Sequence, residues 1–155
     1  MSVKNLSALL DMAINKEIEA QEFYKDLESR GSDTEAKQTL QFMAKEEKKH
    51  EEFLVKYKEA GLGPETLKQS QIIDYKIAEH LEKPDISAKM DSKDVYLVAA
   101  HRELNSYNFY KELAEIHPKG SIRDMLLKMA SEEMKHKEKV EYLYSNTAFP
   151  QTAGG

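Results

Sequence analysis

The chain has 155 residues, enough for one domain with a sizeable buried core. Of these, 33% are charged and 40% hydrophobic, and Gly and Pro are scarce, a composition that favours helices. A net charge of -5 without a basic stripe argues against a nucleic-acid partner, and the absence of cysteine excludes disulfides, thiolate catalysis and iron–sulfur clusters. Any metal site must therefore be built from carboxylates and imidazoles. A mean hydropathy of -0.70, with no apolar run near the roughly 18 residues a span needs, argues against a membrane segment. The N-terminus MSVKNLSALL lacks the basic segment, apolar core and cleavage site of a secretory signal, so a cytoplasmic protein is expected.

Apolar periodicity predicts a first helix from about Val3 to Ser29, stopped at Gly31. A second starts after Ser32 or Asp33, either of which can cap it, and runs to about Ala60, before Gly61-Leu62-Gly63-Pro64. The connection 61–92 is too long for a hairpin, and within it Gln71 to Lys83 reads as a short helix before Pro84. A third long helix covers about Lys93 to Ile116, begun by Asp91 or Ser92 and ended by His117-Pro118-Lys119-Gly120. The fourth begins at Ser121 and runs to about Tyr144, leaving 145–155 as a loose tail.

A shift of 86 residues lays the first half on the second without a gap. Ala13-x-x-x-Glu17 meets Ala99-x-x-x-Glu103, and Phe23-Tyr24-Lys25 meets Phe109-Tyr110-Lys111. Met43-Ala44-x-Glu46-Glu47-x-Lys49-His50 meets Met129-Ala130-x-Glu132-Glu133-x-Lys135-His136. Helical composition raises chance matches among Glu and Lys, but not among Phe-Tyr and His at one fixed offset. The repeat, about 3–60 and 93–144, makes two related helical hairpins. The crossover 61–92 can traverse a helix of roughly 40 Å and so makes the second and third long helices parallel. The expected fold is an all-α four-helix bundle forming a single domain over 1–155.

On each helix one stripe, spaced by alternating steps of four and three, is apolar except at its middle. Helix one gives Leu10, Ala13, Glu17, Ala20, Tyr24 and Leu27; helix two gives Leu40, Met43, Glu47, His50, Leu54 and Tyr57. Helix three gives Val95, Ala99, Glu103, Ser106 and Tyr110; helix four gives Leu126, Met129, Glu133, His136 and Val140. Four carboxylates facing a core at one level repel and are expensive to bury unpaired. Two divalent cations balance their charge, and neutral imidazoles complete the coordination. One Glu-x-x-His is a weak signal; two, each on a stripe and each 30 residues after a stripe Glu, are a strong one. Glu46 and Glu132 recur beside the stripes and read as salt-bridging flank residues. His80, His101 and His117 have no mate at the repeat offset and read as surface or loop histidines, while Met43 and Met129 read as core packing.

With these residues the chain resembles ferritin-like di-iron carboxylate proteins, and within them the rubrerythrin group, over all four helices. The resemblance implies Glu17 and Glu103 as terminal ligands, Glu47 and Glu133 as bridges between two metals, and His50 and His136 as ligands to one metal each. It implies that Tyr24 and Tyr110, seven residues after the terminal Glu, orient ligand carboxylates. The implied cofactor is two iron ions, with manganese or zinc also suited to the donor types. The implied partners are hydrogen peroxide or dioxygen, an external electron donor of rubredoxin-like kind, and a second copy of the chain in a homodimer. Two features depart from the rubrerythrin pattern. The cysteines of a rubredoxin domain are missing, and Ser106 stands where rubrerythrins carry an extra Glu. The donor pattern is thus nearer the six-ligand set of symmetrical ferroxidase centres. The expected function is oxidation of ferrous iron at a dinuclear site, with reduction of peroxide or dioxygen; the alternative is iron storage or delivery without peroxidase turnover.

Overall fold

The computed structural model describes residues 3–31, 33–60 and 74–149. Five helices make up nearly all of it: α1 (Val3–Arg30), α2 (Thr34–Ala60), α3 (Ile77–His80), α4 (Ser92–Glu115) and α5 (Ser121–Ala148). The caps are those the sequence offers. Asp33 Oδ2 accepts from Ala36 N at 3.1 Å, and Asp91 Oδ1 accepts from Asp94 N at 3.1 Å, each satisfying an amide that a helix start leaves unpaired. Gly31 closes α1, its amide donating to Glu28 O at 3.2 Å.

Cross-helix contacts fix the directions of the helices. Residue 24 meets 103 and 110 meets 17, so α1 and α4 are antiparallel. Residue 47 meets 136 and 50 meets 133, so α2 and α5 are antiparallel too. The crossover returns to the end of α1, where Met90 N donates to Arg30 O at 2.9 Å and Met90 forms an isolated parallel bridge with Gly31. Helix α4 therefore starts beside the α1–α2 turn and runs parallel to α2. This is the two-hairpin bundle with a crossover that the repeat predicts.

A second anchor holds the other end of the described crossover. Lys137 on α5 is fully buried, and its ammonium lies 2.7 Å from Asp74, 2.9 Å from Glu79 and 3.0 Å from Glu141. Glu141 also accepts from the Ala78 amide at 2.8 Å, which docks α3 onto α5. A buried ammonium is tolerated only when so surrounded.

Two expectations need correction. Helix α3 covers Ile77–His80 alone among the described residues, with 71–73 outside them. Asp74 accepts from the Lys76 amide at 2.9 Å, Lys76 is left-handed at φ 55°, and Leu81 is already extended, so a turn and a break bound the helix on both sides. The expected loose tail is helical to Ala148. The stripe continues past Val140 to Leu143, and Phe149 N still donates to Ser145 O at 3.0 Å. Residues 150–155 lie outside the description.

The core forms two apolar layers. One gathers Tyr24, Leu27, Leu40, Met43, Val95, Ala99 and Val140; the other gathers Leu10, Ala13, Leu54, Tyr110, Leu126 and Met129. In every long helix the polar middle of the stripe falls between these two sets. No helix among the described residues is long and apolar enough to cross a membrane.

Candidate metal centre

Each long helix brings its polar stripe residues to that middle level because steps of three and four return to one face. Glu17 comes from α1, Glu47 and His50 from α2, Glu103 from α4, and Glu133 and His136 from α5. All six are buried, none more than 4% exposed. Their donor atoms converge as two sets, each within 4.8 Å: Glu17, Glu47, His50 and Glu133, and Glu47, Glu103, Glu133 and His136. The sets share Glu47 and Glu133, the carboxylates of the two Glu-x-x-His motifs.

The imidazoles turn Nδ1 toward the carboxylates. His50 Nδ1 lies 2.9 Å from Glu133 Oε1, 3.5 Å from Glu47 Oε2 and 3.7 Å from Glu17 Oε2. His136 Nδ1 lies 3.0 Å from Glu47 Oε1 and 3.7 Å from Glu103 Oε2. The two rings stack, 5.4 Å apart and 15° from parallel. Glu17 Oε2, Glu47 Oε2, Glu103 Oε2, His50 Nδ1 and both Glu133 oxygens are buried without a hydrogen-bond partner. Unpartnered buried oxygens concentrated at one point fit cation ligands and suit little else.

The charges carry the same message. Burial, and then the neighbouring Glu47 charge, push the Glu17 carboxyl up to about 8. Burial and the charges of Glu47, Glu103 and Glu17 push Glu133 well above the usual range. Burial works the same way on Glu47, but contacts with Glu17, His136 and His50 outweigh it and hold Glu47 well below that range. Burial opposes the charged form of His50 and His136, yet the carboxylates around each lift both well above an ordinary imidazole. With no cation bound, the cluster retains protons that divalent ions would displace.

A pair of tyrosines braces the cluster. Tyr24 donates to Glu103 Oε1 at 2.5 Å, and Tyr110 donates to Glu17 Oε1 at 2.6 Å. Burial, joined by the Glu103 charge at Tyr24 and the Glu17 charge at Tyr110, raises both hydroxyls, so they remain donors. Each tyrosine thus serves the carboxylate of the opposite repeat.

Several residues differ from their sequence reading. Glu132 is buried and groups with His50 and His136, so it is not a solvated flank. Glu46 does pair with Lys49 at 2.9 Å, but it also lies 3.9 Å from His136 Nε2. The His136 contact, then the Lys49 ammonium working against partial burial, bring Glu46 down to about 2. Recurrence at the repeat offset was the available signal for both. His117 is buried, with Nδ1 2.6 Å from Leu113 O, whereas His80 is exposed and the partly exposed His101 contacts Leu81 O. Met43 and Met129 are core residues as expected.

An all-α bundle with a buried four-carboxylate, two-imidazole cluster between its hairpins defines a ferritin-like protein with a candidate dinuclear metal centre. A family model described as Rubrerythrin matches residues 1–60 and 94–151, and the chain belongs to that family. The unmatched interval falls on the crossover and its flanks. No curated protein and no solved structure matches the chain.

Proposed function

We propose that the chain is a di-iron redox protein that oxidises ferrous iron at this centre. The observation that carries the reading is the overlap of the two donor sets through Glu47 and Glu133. Glu17 and His50 would hold one ion and Glu103 and His136 the other, with Glu47 and Glu133 available to both. When bound, the two iron ions supply two electrons to hydrogen peroxide or dioxygen. The residues set the conditions: the carboxylates neutralise the ions, Tyr24 and Tyr110 fix the terminal carboxylates, and the apolar layers on either side keep bulk water away. Glu46, 3.9 Å from His136 Nε2, places a negative charge behind that imidazole. Electrons for a further cycle come from a donor outside these residues, of the rubredoxin-like kind the resemblance implies.

Stopped-flow mixing of reduced, iron-loaded protein with peroxide, and separately with dioxygen, tests the reading. Oxidation of the bound iron by at least one is expected. Inertness to both contradicts it.

A further inference from the structure

Between α1 and α4 lies a cavity of about 30 Å³, whose lining includes Lys16, Glu17, Arg102, Asn105, Ser106 and Tyr110. A water-sized group needs roughly 10–15 Å³ on this measure, so the space suits a molecule of two or three heavy atoms. Lys16 and Asn105 are exposed, whereas Glu17 is 2% and Tyr110 1% exposed. The cavity therefore spans the wall between solvent and the candidate metal centre. It borders the candidate centre at Glu17, on the side of α1 and α4, whereas the imidazoles come from α2 and α5.

Its charge is unusual for the approach to an acidic cluster. Lys16 Nζ is held 5.2 Å from the centre of the Phe109 ring, and Arg102 Cζ 5.5 Å from that of Phe23. These cation–π contacts are related by the repeat and fix two positive charges along the α1–α4 seam. Arg102 Nε is buried without a hydrogen-bond partner, a donor with capacity to spare. Glu17, committed to Tyr110 and the centre, is the acidic residue in the lining.

We propose that this cavity is the access route and seat for small anions at the metal centre, with Arg102 setting the charge preference and Ser106 the width. The inference rests on the dinuclear reading above. A cation approaching here meets Lys16 and Arg102, whereas an anion of two or three heavy atoms gains a hydrogen bond from Arg102 and contact with the Ser106 hydroxyl. Serine at position 106 leaves the space open; a branched or aromatic side chain there would fill it.

The test is azide titration of the ferric-loaded protein, followed by its absorption change, with iron per chain measured on each sample. Ser106→Leu is expected to weaken azide at least roughly tenfold, and Arg102→Gln by about tenfold, the effect of one lost hydrogen bond to a charged group. Both variants should retain the iron content of the parent. If both bind azide as tightly as the parent with full iron, the access proposal is overturned while the dinuclear reading stands. If the parent itself binds no iron, the dinuclear reading fails instead. Arg102→Gln alters charge more than volume, so it decides the question if Ser106→Leu fails to fold.

Discussion

Tyr110 donates its hydroxyl hydrogen to Glu17 at 2.6 Å across 93 positions of sequence, which ties the second hairpin to a buried carboxylate of the first. Tyr24 makes the reciprocal tie to Glu103. The two bonds cross between the repeats, so each half supplies a donor to a buried carboxylate of the other.

Tyr110→Phe and Tyr24→Phe should each leave a buried carboxylate oxygen without its donor while preserving ring packing. We expect iron affinity to fall by about 10–100-fold, read as faster loss to a chelator. Unchanged chelation kinetics in both variants would show that the tyrosines are packing residues only.

Glu47→Ala and Glu133→Ala remove the carboxylates common to both donor sets. Each should lower bound metal from about two ions per chain to one or fewer. Glu132→Ala should retain both ions, since Glu132 is absent from the two four-residue sets. Metal analysis after gel filtration separates these outcomes, and retention of both ions by Glu47→Ala and Glu133→Ala contradicts the bridging assignment.

The protonation pattern gives a pH dependence to the protein without metal. Glu17 titrates at about 8 when folded, against an ordinary value of 4.5. Below 4.5 folded and unfolded chains both carry its proton; between 4.5 and 8 only the folded chain retains it. Stability from this group is therefore present at low pH and lost as pH rises toward 8, by at most about 1.4 kcal/mol per pH unit. Glu133, His50 and His136, all raised, act in the same direction. Glu47, held low, acts oppositely but in a more acidic window. Thermal melts should show the metal-free protein losing stability from pH 5 to pH 8 (about three pH units) while the metal-loaded protein loses less. Parallel pH profiles for the two forms would refute the link.

Lys137→Met should unlatch the crossover by leaving Glu141, itself fully buried, without its cation. A loss of about 3–5 kcal/mol in denaturant unfolding is expected. The exposed Lys58–Asp11 pair offers the contrast, and Lys58→Met should change stability by less than about 1 kcal/mol. Equal effects would mean that the latch is dispensable.

How far the sequence disclosed this arrangement depends on period and repetition. The stripes were legible because a helix returns to one face every three or four residues, and every stripe residue from Leu10 to Leu27 and from Leu40 to Tyr57 is buried. Glu17, Glu47, His50, Glu103, Glu133 and His136 were legible because charge interrupted apolar stripes twice at one offset. Lys137 was not, since a lysine next to a stripe ordinarily lies in solvent, and its partners Asp74 and Glu79 arrive from a crossover without periodicity. Glu132 was misread for a related reason: sequence places it beside the stripe, and only packing of α2 against α5 decides that the flank is covered. The cavity at Ser106 depends on side-chain volumes across α1 and α4, which no single helix pattern contains.

The most direct test of the dinuclear centre is iron quantitation on protein purified without a metal-binding tag and loaded anaerobically with ferrous ion. About two tightly held irons per chain are expected, falling to one or none in Glu133→Ala. Parent protein that retains no iron, or a Glu133→Ala variant that retains as much as the parent, would contradict it.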